Sequence, residues 1–193
     1  MQEYSSSCTR AQEIEDLMEE EEGGEGESSE VEDLHGEMTI LIVTSPAPRN
    51  PDTSMVWAVI NSCDSYLGGL DKCNVVVVAD GYNLSTKIRR GNEYSLSKAG
   101  MVTKEVQSSY EQFKTTLQLE MKAKNEASQN SRIYTLLSLQ EHHGFALAVK
   151  KGLEFIKCTP PHTKHCLILQ HDRAFTRQFS QKRVCEYVNM SYV

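Results

Sequence analysis

At 193 residues, 39% of them hydrophobic, the chain is long enough for one domain with a real core. Its net charge of −7 is unevenly divided: residues 1–37 hold 14 of the 27 acidic residues and one basic residue, Arg10, a balance of −13, and the remainder carries +6. No run nears the roughly 18 apolar residues of a membrane span, and basic residues are not interleaved with aromatics, which argues against membrane insertion and nucleic-acid binding.

The acidic stretch contains Glu19-Glu20-Glu21-Glu22-Gly23-Gly24-Glu25-Gly26-Glu27. Self-repulsion and scarce apolar residues predict a disordered tail over 1–37, with Ile14, Leu17 and Met18 giving one helical turn at most. The functional alternative is an acidic arm that docks a protein partner. The N-terminus has no apolar signal core, so the sequence predicts a cytoplasmic chain whose six scattered cysteines are reduced thiols.

The remaining residues, 38–193, read as one α/β domain. Met38–Thr44 is a continuous apolar run of the kind found in strands buried on both faces. Pro46, Pro48 and Pro51 break it. Asp52 or Thr53 can cap a helix in which Met55, Val56, Val59, Ile60, Cys63 and Tyr66 recur at helical spacing, until Gly68-Gly69 stops it. Asn74–Ala79, with four successive valines, is a second strand ending at the turn Asp80-Gly81. Residues 84–130 are more polar, though Val102, Val106, Tyr110, Phe113, Leu117 and Met121 keep one helical face. Ile133–Leu139 is a third strand. A helix over about 145–156 then buries Phe145, Ala148, Val149, Leu153 and Ile156. Pro160-Pro161 separates it from a fourth strand, Cys166–Leu169, and a last amphipathic segment groups Phe175, Phe179, Val184, Tyr187 and Val188. Alternating strands and helices predict a mainly parallel open sheet flanked by helices. The strand order is not readable from the pattern.

Ligands of open α/β sheets bind beyond the carboxyl ends of the strands. That rule nominates Thr44–Arg49, Asp80–Asn83, Gln140–Gly144 and Gln170–Arg173. An aspartate at such an end can meet a ribose or base edge, hold a divalent ion, or simply cap a turn. No glycine-rich GxGxxG or GxxxxGK[ST] loop is present to cradle phosphates. Cys158, His162, His165 and Cys166 contain zinc-ligand types, but at a spacing that matches no familiar zinc module.

In order and spacing, Thr39–Pro46, Val75–Gly81, Gly144–Leu153 and Leu167–Asp172 resemble a GT-A-fold, family-two-like glycosyltransferase over about residues 38–180. The resemblance implies the nucleotide-binding part of such a domain, with a nucleoside-diphosphate sugar as ligand and an unidentified acceptor. By position, Thr44, Ser45 and Pro46 would line the nucleotide pocket with Gly144, and Asp80 would contact the base or ribose. Asp172, assisted by His171, would bind a divalent cation (Mn²⁺ or Mg²⁺) that bridges the diphosphate. Arg49 and Arg173 would add phosphate contacts. Where the family carries Asp-x-Asp, this chain reads Gln170-His171-Asp172, and it ends about 20 residues later, before the family's acceptor half and catalytic carboxylate. The alternative expectation is a non-catalytic α/β module.

Overall fold

The structure, a computed structural model, describes residues 36–85, 100–127 and 132–190. The acidic tail, residues 86–99 and 128–131, and the extreme C-terminus lie outside those residues. So do the expectations for Ile14, Leu17 and Met18, and the placement of the Tyr187 and Val188 side chains. Strands β1 (Met38–Thr44), β2 (Asn74–Ala79), β5 (Tyr134–Ser138) and β6 (His165–Gln170) form one sheet in the order β5-β2-β1-β6. Every pairing in it is parallel. The helices among the described residues are α1 (Ser54–Tyr66), α2 (Lys104–Ala127), α3 (Gly144–Cys158) and α4 (Gln181–Met190). A short parallel pair, β3 (Asn83–Leu84) and β4 (Met101–Val102), forms a second, two-stranded sheet. The α/β class and the mainly parallel sheet are therefore as the sequence predicts.

The strand order explains the two cores. Moving from β1 to β2 to β5 carries the chain one way across the sheet, and α1 and α2 cover one face. There Ile40, Ile42, Val75 and Val77 pack against Val56, Val59, Ile60, Tyr110, Phe113 and Leu117. The next connection, through α3, doubles back across the sheet to β6 and covers the opposite face, where Leu41, Val43, Val76 and Val78 meet Ala148 and Ile156. All of β1 and nearly all of β2 are buried, as their unbroken apolar runs require.

Three local expectations shift. The buried line of α3 is Ala148, Gly152 and Ile156, whereas Phe145 and Leu153 are 44% and 39% exposed. Gly152 sets that line: a Cβ there would stand 2.6 Å from Leu41 Cδ1, so the helix sits closest to the sheet along its glycine. Phe175 and Phe179 pack on the core from an irregular segment, not a helix; Phe179 N donates to Tyr66 O at 2.7 Å, and Phe175 N to Ser62 Oγ at 2.9 Å. Val102 belongs to β4, and α2 continues to Ala127.

One buried charge holds the entrance of the sheet. Arg132 donates to the carbonyls of Cys73 (2.7 Å) and Leu70 (2.8 Å) and pairs with Asp64 at 2.8 Å. Burial raises the Asp64 carboxyl above its ordinary range despite the guanidinium beside it.

Candidate functional site at the β1–β6 crevice

In the order β5-β2-β1-β6, successive strands step from β1 to β2 to β5, and the connection through α3 then brings β6 in on the other side of β1, so the strand order reverses between β1 and β6. This is a topological switch point, and its carboxyl edge is where open α/β sheets bind ligands. A cavity of about 350 Å³ lies there, lined by Val43, Thr44 and Ser45 after β1, Gln170, His171 and Asp172 after β6, Gly144 and Phe145 at the start of α3, and Asp80 and His142. Of the nine residues to which the family resemblance gives a role, Thr44, Ser45, Asp80, Gly144, His171 and Asp172 converge on it. Pro46, Arg49 and Arg173 are not in its wall. Arg49 is carried off on an exposed turn in which Asn50 N donates to Ala47 O and Asp52 N to Arg49 O.

Asp80 is 2% exposed and its carboxylate is already engaged. Oδ1 accepts from the backbone N–H groups of Gly81 (3.0 Å) and His143 (2.9 Å), and Oδ2 from Gly144 N (2.9 Å). The last two donors open α3, so a side chain from the end of β2 caps a helix 64 residues away and complements its dipole. The backbone is tied as well: Asp80 N donates to Thr44 O at 2.8 Å, and the Tyr110 hydroxyl to Asp80 O at 2.9 Å. Burial, followed by the nearby Asp80, pushes that hydroxyl's pKa above the usual phenol range. Asp80 thus carries a structural task that the family resemblance does not imply. It lines the crevice and spends its acceptors on shaping it.

The loop Glu141-His142-His143 is pressed close by two glycines. A Cβ on Gly81 would collide with the Glu141 backbone, and one on Gly100 (φ 68°) with the His142 ring. His142 Nδ1 lies 3.0 Å from Asp80 Oδ2, shut off from solvent but off the line of a donated hydrogen bond. The strand-end rule nominates His142 as part of an open polar end, and apolar spacing places Phe145 in the core. Instead, the imidazole is wedged behind the crevice and the phenyl ring stands half open at its mouth. Gly100 was the available signal for the first, but only the fold brings it to His142.

On the far wall, His171 N donates to Val43 O (3.1 Å) and Arg173 N to Gln170 O (3.1 Å), which turns Asp172 out onto the rim. The Asp172 carboxylate is exposed, with Arg173 Nε 4.0 Å away. Among the described residues no three His, Cys, Asp or Glu side chains converge on one point, either at Asp172 or around Cys158, His162, His165 and Cys166. Asp172 and His171 fit a hard cation only as part of a shell completed by ligand phosphates and water. Among the described residues no helix is long and apolar enough to cross a membrane. No protein-family model, curated protein or solved structure matches this chain.

Proposed function

We propose that the chain is a nucleotide-sugar-binding module of glycosyltransferase type, taking a nucleoside diphosphate sugar into the crevice between β1 and β6. The observation that carries this reading is the coincidence of the cavity with the switch point of a parallel sheet. Its lining suits such a ligand. Thr44 and Ser45 offer hydroxyls, Gln170 an amide and His171 an imidazole for ribose, base or sugar groups. The half-open Phe145 ring offers a stacking surface for a base. Asp172, on the rim, would share a divalent cation with the diphosphate. Of the two carboxylates in the wall, Asp80 is committed to backbone donors, which favours binding over turnover and gives the non-catalytic alternative its support.

Thermal unfolding of the full chain with nucleoside diphosphates and their sugar conjugates, with and without Mn²⁺, tests the reading. Ligand at a hundredfold excess over Kd stabilises by about 2.7 kcal/mol, a readily visible rise in Tm. The rise should vanish in Ser45→Trp, which fills the crevice, and its Mn²⁺-dependent part in Asp172→Ala. No rise with any nucleoside diphosphate would sink the proposal. Sugar-nucleotide hydrolysis that disappears in Asp172→Ala would add turnover to it.

A further inference from the structure

The two edges of the sheet are finished differently. At the β5 edge, the Asn125 side chain at the end of α2 takes both backbone groups of Tyr134: Nδ2 donates to Tyr134 O and Oδ1 accepts from Tyr134 N, each at 2.9 Å. The β6 edge has no such plug among the described residues. Its inner groups face β1, as His165 N to Glu37 O (2.9 Å) and His171 N to Val43 O (3.1 Å) mark at the two ends. By the alternation of a strand, Cys166, Ile168 and Gln170 point their N–H and C=O groups outward. His165-Cys166-Leu167-Ile168-Leu169-Gln170 contains no Lys, Arg, Asp, Glu or Pro, the residues that normally protect an edge. None of the six is buried, and Ile168, at their centre, is 40% exposed.

We propose that this edge is an interface for a second copy of the chain, the two β6 strands pairing antiparallel about a two-fold axis at Ile168. The outward groups are self-complementary in that register. Ile168 exchanges both hydrogen bonds with Ile168 of the copy, and Cys166 of each chain does so with Gln170 of the other. The Gln170 carbonyl, which already accepts from Arg173 N, uses its second lone pair. The two exposed Ile168 side chains fall side by side on the α3 face, each covering the other. Charges agree as well. The same register sets Lys164, which now holds Glu37 at 2.7 Å, level with the exposed Asp172 of the copy. The two sheets become one of eight strands.

The test is the mass of the full-length protein by sedimentation equilibrium across a concentration series. Wild type should dimerise reversibly. Ile168→Lys, which places a charge on the edge, and Ile168→Pro, which removes an outward N–H and the exposed side chain but no hydrogen bond to β1, should each weaken dimerisation about tenfold or more. Unchanged circular dichroism and melting at low concentration would show that both variants fold. In a Cys8→Ser, Cys158→Ser background, Ile168→Cys should form an interchain disulfide on mild oxidation. The paired Cα atoms would be about 5.5 Å apart, within bridging range, and Leu153→Cys should not crosslink. A wild type that stays monomeric at all concentrations overturns the proposal, even if an extended peptide is found to add to the edge. A dimer that persists in Ile168→Pro with no Ile168→Cys crosslink overturns it equally, because the contact then lies on another surface.

Discussion

Asp80 offers two carboxylate oxygens to three backbone N–H groups, and the donors come from two loops. Asp80→Ala strands those donors in a buried place, at a cost of about 2–5 kcal/mol in urea unfolding. Asp80→Asn keeps one acceptor and should lose less. If Asp80 instead served only to touch a ligand, its removal would leave stability unchanged and alter binding alone. Cysteine chemistry gives a second check at this scale. Burial pushes the Cys63 thiol up to about 12 and the Cys166 thiol up to about 11, while Cys158 is exposed. Iodoacetamide at pH 8 should therefore label Cys158 long before Cys63 or Cys166, read by peptide mass spectrometry. Rapid labelling of Cys63 in folded protein would contradict the packing of α1 on the sheet.

Gly152 sits where two element-level effects oppose each other. Alanine in its place gains about 1 kcal/mol of helix propensity. Its Cβ, however, meets Leu41 Cδ1 at 2.6 Å and Val78 Cγ2 at 2.9 Å, and both side chains are fully buried. Overpacking of this kind costs about 1–3 kcal/mol, so Gly152→Ala should be neutral to mildly destabilising and Gly152→Val clearly destabilising, by chemical denaturation. Stabilisation by Gly152→Val would mean that α3 does not approach the sheet along this line. The same helix shows what a sequence can and cannot convey. Its existence and length follow from apolar spacing, yet a pattern that counts only apolar residues gives no weight to a glycine. The predicted stripe therefore rotated toward Phe145 and Leu153. The runs Thr39–Val43 and Val75–Val78 are legible as buried strands because burial on both faces leaves no polar alternation. Cys166–Leu169 reads the same way and is an edge, since composition does not record which strand has only one neighbour.

For the molecule as a whole, the order β5-β2-β1-β6 predicts a gradient of protection. Amides of β1 and β2, central and buried, should exchange with deuterium slowest, at or near the global unfolding rate. Along β6, Leu167 and Leu169 amides should be protected and those of Cys166, Ile168 and Gln170 fast in dilute protein, a two-residue alternation visible by NMR. Uniform protection along β6 in a monomer would mean that the edge is covered. The crevice was half legible on this scale. The rule that strand ends bind ligands nominates eight of its ten lining residues, all but Val43 and Phe145, because position along a strand can be counted from sequence. That β1 and β6 are neighbours cannot be counted, because it depends on the connection through α3 doubling back. Without that neighbour relation, Arg49 and Arg173 look equivalent to Ser45 and His171, whereas the turns after β1 and β6 direct the arginines elsewhere.

The Asn125 side chain on Tyr134 bears on how far association through the sheet can go. A sheet open on both sides is a monomer with two sticky ends, and such units add without limit into fibres. Here a strand approaching β5 must first dislodge an amide held at both of its polar atoms. On the proposed β6 pairing the molecule is therefore close to monofunctional in the polymer chemist's sense: once β6 is joined, the edge left over is plugged at Tyr134, which opposes growth beyond two.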